Sequence, residues 1–110
     1  MTSQSDGGIV AVYVLFGSDE EARRIGRLMV ERRLAACVNL LGPCHSIYRW
    51  QDRVEEAAEV AAIFKTTADG AGALTAAIRT AHSYEVPAIS VLPVLSTEAD
   101  YAAWVGDNVD

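Results

Sequence analysis

The apolar run Ile9 to Phe16 passes through a single glycine, Gly17, straight into Ser18-Asp19-Glu20-Glu21. Val, Ile, Tyr and Phe dominate the run, which reads as a fully buried strand. The next four residues form a capping box, in which the Ser18 hydroxyl and the Glu21 carboxylate satisfy opposite orphan amides at a helix start. Behind it Ala22, Ile25, Leu28 and Met29 recur at helical spacing, and Arg32 and Arg33 suit the negative end of the helix dipole. A buried strand feeding an amphipathic helix is therefore the first unit of the fold.

Ala35 to Leu41 returns as a strand and is broken by Gly42-Pro43. Ile47 to Trp50 begins another extended run, with Tyr48 and Trp50 on one face and Ile47 and Arg49 on the other. Gln51-Asp52-Arg53 reads as a tight reversal. In Val54 to Phe64 two signals conflict: Glu-Glu-Ala-Ala-Glu has helix propensity, while Val54, Ala58, Val60, Ala62 and Phe64 alternate against Glu55, Glu59 and Lys65. The hairpin logic favours a strand. Thr67 to Gly72 is a loop, and a helix is expected from about Ala73 to Ala81, with Leu74, Ala77, Ile78 and Ala81 as its apolar stripe. Pro87 forces Val86 into an extended conformation. Ala88 to Leu95 is a strand whose Pro93 implies an edge or a bulge, and Glu98 to Val105 closes as a short helix. The order is β-α-β-β-α-β plus a terminal helix, the ferredoxin-like split βαβ pattern of the α+β class.

At 110 residues one hydrophobic core is the expectation. Residues 1–8 read as a disordered tail and residues 9–110 as a single domain. The chain is 51% apolar and 22% charged, more apolar material than a monomer of this size easily hides, which favours an oligomer. A net charge of −6, with nine Lys and Arg spread along the chain, argues against nucleic acid and anionic membranes as partners. The longest apolar run is too short to span a bilayer. Cys37 and Cys44 have neither disulfide-framework nor zinc-site spacing, and with no signal-peptide pattern they fit a cytoplasmic protein with reduced thiols.

The fragments Ala36-Cys37-Val38-Asn39, Ser46-Ile47-Tyr48-Arg49-Trp50, Val54-Glu55-Glu56, Lys65-Thr66, His82-Ser83-Tyr84-Glu85-Val86-Pro87 and Leu92-Pro93-Val94 occur in a definite order and spacing. With them the chain resembles the CutA family, the divalent-cation tolerance proteins, from about Ile9 to Val105. The resemblance implies a ferredoxin-like subunit with an extended β-hairpin, a very stable homotrimer, and an association with copper or another divalent cation, with no cofactor obligatory. The family commonly has Gly in the hairpin turn and Pro where Ser83 stands, so the turn and the presentation of His82 differ here.

Two constellations are candidates for chemistry. Cys37, in an apolar strand, reads either as a small buried hydrophobe or as a soft thiolate ligand. His82, at a helix end, reads either as a cap interacting with the helix dipole or as an imidazole ligand. Both match the family's implicated residues, and a third group, water or a neighbouring subunit would have to complete the site. Cys44-His45 joins a thiol to an imidazole, but adjacent strand residues point to opposite faces, leaving a surface thiol as the plain alternative. Tyr48, Trp50, Lys65, Tyr84, Glu85 and Trp104 read as core or interface aromatics with charged neighbours. The resemblance instead gathers several of them at clefts between subunits, where PII-type trimers hold small effectors, and a lysine, a carboxylate and aromatic walls would orient an anionic or planar ligand. No phosphate loop, nucleophile elbow or His-Glu-x-x-His is present, and an enzyme is not expected. The sequence thus favours a copper-binding homotrimer of metal tolerance, against a PII-like small-molecule sensor or a rigid assembly platform.

Overall fold

The computed structural model describes residues 8–110, and the tail expected over residues 1–8 lies outside the described residues except for Gly8. Gly8 is anchored, since its carbonyl accepts a 2.8 Å hydrogen bond from the Ala68 N–H. The elements run β1 (Ile9–Phe16), α1 (Asp19–Glu31), β2 (Cys37–Trp50), β3 (Arg53–Thr67), α2 (Ala71–Ala81), β4 (Ile89–Pro93) and α3 (Ala99–Asp107). They build one four-stranded sheet in the order β2-β3-β1-β4, with every neighbouring pair antiparallel. This is the ferredoxin-like α+β arrangement with an added terminal helix, and Pro93 lies on an edge strand as its missing N–H requires. Helix α2 starts two residues before the expected Ala73, because Gly70 takes the N-cap position while its own N–H bonds the Thr67 hydroxyl at 2.9 Å. Among the described residues no helix is long and apolar enough to cross a membrane.

The capping box of α1 closes on one side only. Ser18 Oγ accepts from the Glu21 N–H at 3.1 Å, but Glu21 bonds the N–H of Gly17 rather than that of Ser18. At the other end Arg33 adopts φ 60°. Its N–H bonds the Val30 carbonyl while the Leu34 N–H reaches back to Met29, a Schellman ending in a position glycine usually fills. The Arg33 side chain is not spent on the helix dipole. It bonds Asp110 Oδ1 at 2.6 Å and the Asp107 carbonyl at 2.8 Å, tying the C-terminus to α1.

Even residues of β1 and β3 point toward α1 and α2. Val12, Val14, Phe16, Ala62 and Phe64 are buried there with Ile25, Met29, Leu74 and Ile78. A smaller cluster of Ile9, Ala36 and Val105 lies under α3 on the other face. The alternation in Val54 to Phe64 therefore overrides its helix propensity, because only a strand can deliver Ala62 and Phe64 to the core together.

Cys37 to Trp50 is one continuous strand, where the sequence suggested two strands broken at Gly42-Pro43. The interruption is a bulge between Leu40 and Gly42, with Gly42 at φ 99°, a conformation that disfavours any other residue. Pro43 is tolerated because β2 lies on an edge. The bulge inverts side-chain parity. Val38 and Leu40 pair with Phe64 and Ala62 on the core face, whereas Cys44 and Tyr48 pair with Glu59 and Glu55 on the opposite face. Beyond Val60, β3 has no partner other than β2, so Arg53 to Glu59 and their β2 partners project as an arm about 20 Å long.

The arm turns through Gln51 and Asp52, at φ 52° and 66°, the signs a type I′ hairpin demands. Gln51 disfavours that region, and Asp52 tolerates it less well than glycine would. Gln51→Asn with Asp52→Gly is expected to raise unfolding stability by about 1 kcal/mol, read from the urea midpoint. An unchanged midpoint would show that the turn carries no strain.

Candidate functional site

A cleft of about 650 Å³ opens where the arm meets the segment following α2. Tyr48 and Trp50 reach it from β2, Glu55 and Glu59 from β3, Leu15 from β1, and Tyr84, Glu85 and Val86 from the segment before Pro87. By leaving Leu41 unpaired, the bulge lets Tyr48 and Trp50 reach this face. Were Leu41 paired in step, both would stand with Val38 and Leu40 on the helix side.

Tyr84 and Glu59 form the floor. The Tyr84 hydroxyl donates to Glu59 Oε2 at 2.9 Å, and Glu59 is only 9% exposed. Burial, then the hydrogen bond to Glu59, then the charges of Glu59 and Glu21 and nearby Tyr48 push the Tyr84 hydroxyl up to about 12. It stays a proton donor across the physiological range. Its ring lies over Gly17, where an added Cβ would meet Tyr84 atoms at 3.2 Å. The glycine that ends β1 thereby gives Tyr84 its seat.

A buried network fixes the segment that carries Tyr84. Glu21 accepts from the Ser83 N–H at 2.7 Å, the Ser83 hydroxyl at 3.0 Å and the Gly17 N–H at 3.3 Å. Burial pushes the Glu21 carboxyl up, but the Ser83 N–H, the Ser83 hydroxyl, the Gly17 N–H and the nearby His82 ring outweigh it, and the net shift is downward. His82 stacks on Phe16 with centroids 5.0 Å apart, and its side chain is fully buried. Its Nε2–H donates to the Leu15 carbonyl at 2.8 Å, and its Nδ1 accepts from the Tyr84 N–H at 3.0 Å. The partners fix the tautomer, since a carbonyl only accepts and an amide N–H only donates. His82 acts here as a structural clasp.

The metal pair suggested by sequence does not converge within one chain. Cys37 pairs with Lys65 on the face that carries α3, and its Sγ lies 3.4 Å from the Tyr101 hydroxyl. His82 belongs to the opposite, helix-packed face, and both of its nitrogens are already hydrogen-bonded. Cys44 and His45 also diverge: Cys44 pairs with Glu59 on the cleft face, while His45 turns outward to Glu56 Oε1 at 2.6 Å. Among the described residues no three His, Cys, Asp or Glu side chains gather as a cage.

The aromatic and charged set also divides. Tyr48, Trp50, Tyr84 and Glu85 line the cleft, whereas Lys65 and Trp104 stand in a second cluster around Tyr101. Lys65 Nζ sits 5.8 Å above the Tyr101 ring and 3.4 Å from Asn39 Oδ1, and Trp104 stacks on the same tyrosine. The hydrogen bond with Cys37, ahead of burial, lifts the Tyr101 hydroxyl to about 12. Glu55 and Glu59 are the cleft residues that sequence reasoning missed. As polar members of a strand alternation they read as a solvated face, and only the register with Cys44 and Tyr48 reveals them.

The CutA1 divalent ion tolerance protein model matches residues 10–108. The chain is 41% identical to a CutA homolog of Xenopus laevis over 97% of its own length and 71% of that protein. It is 39% identical to the divalent-cation tolerance protein CutA of Thermus thermophilus, covering 88% of this chain and 94% of that one. It spans little more than half of the mouse and human CutA proteins, 56% and 55% of their lengths at 40% identity. The solved Thermus thermophilus structure superposes with a TM-score of 0.89 at 37% identity, covering 93% of this chain and 99% of that one. With the family model matching from first strand to last helix and the solved relative superposing over nearly the whole fold, this chain belongs to the CutA1 divalent-ion tolerance family.

Proposed function

We propose that the protein works as a cytoplasmic homotrimer in the tolerance of divalent cations, with copper the metal placed first. The arm carries this reading. Ile47 and Val54 are more than 60% exposed and Trp50 is 42% exposed, on a two-stranded extension that the rest of the chain does not support. A lone hairpin is marginal in water, and its free β2 edge invites pairing. Three arms packed on neighbouring chains would cover both liabilities. Sedimentation equilibrium is expected to give three times the 11.8 kDa chain mass, and a concentration-independent monomer would refute the assembly. Fractionation tests the compartment, since the Archaeoglobus fulgidus relative is described as periplasmic.

Copper coordination in this reading requires a neighbouring chain to complete Cys37, and His82 contributes only by releasing the Tyr84 N–H. In copper titrations of wild type, Cys37→Ser, His82→Ala and His45→Ala, about a tenfold or greater loss for Cys37→Ser supports the shared site. A loss confined to His45→Ala moves the site to the His45–Glu56 pair on the arm. A second reading, a PII-like module sensing a small molecule, is favoured by the aromatic cleft beside that arm.

A further inference from the structure

Of the anionic or planar ligand expected from sequence, the cleft does not fit the anionic kind. Lys65, the one cation in the sequence-derived set, lies with Tyr101 and not in the cleft. The residues that do line it include three carboxylates, Glu55, Glu59 and Glu85, and no Lys, Arg or His. Their field repels anions and concentrates cations. Glu59 adds a more specific signal. It is nine-tenths buried, its Oε2 takes the Tyr84 hydroxyl, and its Oε1 takes no hydrogen bond among the described residues. A buried carboxylate oxygen left without a donor calls for one from outside the chain. The donor must be cationic to match the field, and flat to lie between Tyr48, Trp50 and Tyr84, whose ring faces attract positive charge.

We propose that this cleft binds a small planar organic cation, an amidinium or guanidinium, through the free oxygen of Glu59 and the rings of Tyr48 and Tyr84. This rests on the small-molecule reading of the cleft and gives that reading its ligand class. Amidinium N–H groups supply the missing donor to Glu59 Oε1, and the bond is charge-assisted at a carboxylate that is itself nine-tenths buried. Tyr84 holds the carboxylate in place from its other oxygen. Glu55 and Glu85, at the more exposed rim, draw the cation in.

The test uses three near-isosteric probes of opposite character: benzamidinium, neutral benzamide and anionic benzoate, each titrated calorimetrically into the full chain in its native assembly. Saturable benzamidinium binding at least tenfold tighter than either control is expected. In Glu59→Gln, which retains an acceptor for Tyr84, that preference should fall at least tenfold while the sedimenting mass stays unchanged. In Tyr84→Phe the preference should persist, because Glu59 remains charged. Benzamide or benzoate binding as tightly as benzamidinium would overturn the cation assignment and leave the small-molecule cleft standing. Binding of none of the three would overturn the assignment and the small-molecule reading together. Unchanged benzamidinium affinity in Glu59→Gln would also overturn it.

Discussion

Trp50→Ala is expected to dissociate the trimer proposed above. The Trp50 ring sits at the base of the arm's turn, beside Tyr48, and remains 42% exposed in a single chain. Such an aromatic at a subunit contact is an anchor, and its truncation costs at least about 2 kcal/mol per contact. Three symmetric contacts would raise the cost to about 6 kcal/mol, a shift of roughly ten-thousand-fold in the assembly constant. Sedimentation of the variant across a range of concentrations should show smaller species than wild type at the same concentration, and thermal unfolding of the dissociated variant should lose the concentration dependence of an assembly. An intact trimer would assign Trp50 to the cleft wall alone.

The second large effect concerns the fold of each subunit. Glu21→Ala is expected to cost about 3 kcal/mol, because it takes the charged acceptor from the part-buried N–H groups of Ser83 and Gly17 and from the Ser83 hydroxyl together. That is a sizeable share of a typical domain's stability. Glu21→Gln keeps the volume and one acceptor oxygen, and about 2 kcal/mol is expected there. The sign of the pH dependence follows from the downward shift of the Glu21 carboxyl. Its stabilisation is fully present above the unfolded carboxylate value, about 4.3, and is lost as pH falls through the lower folded value. Urea midpoints at fixed protein concentration should therefore fall more steeply with acid in wild type than in Glu21→Gln. Parallel slopes would show that the Glu21 network contributes no acid-sensitive stability.

The elements that were legible in the sequence are those whose partners are near in the chain or imposed by periodicity. Ile9 to Phe16 and the start of α1 needed only a strand-forming run and a cap. Val54 to Phe64 was legible as a strand once its alternation was weighed against its glutamates and alanines. Long-range pairing was not legible. Glu21 reads as half of a capping box because its partner Ser83 lies 62 residues away. Lys65 and Trp104 read as cleft residues because their chemistry suits one, yet register sends them to Tyr101. His82 offers two nitrogens on paper, and only the fold shows that Leu15 and Tyr84 occupy both.

The bulge at Leu40 to Gly42 gives this chain a tolerance that a plain hairpin lacks. One surplus residue, Leu41, is taken up there without a partner, so the core-paired half of β2 and the arm use consecutive residues of β3 on either side of it. Deleting Leu41 would remove the bulge yet leave Gly42 opposite Ala61, Cys44 opposite Glu59 and Tyr48 opposite Glu55, so Tyr48 and Trp50 would keep their face. The bulge thus works as a length buffer: the arm presents the same side chains to the cleft whether or not the extra residue is present, and only substitution changes that surface.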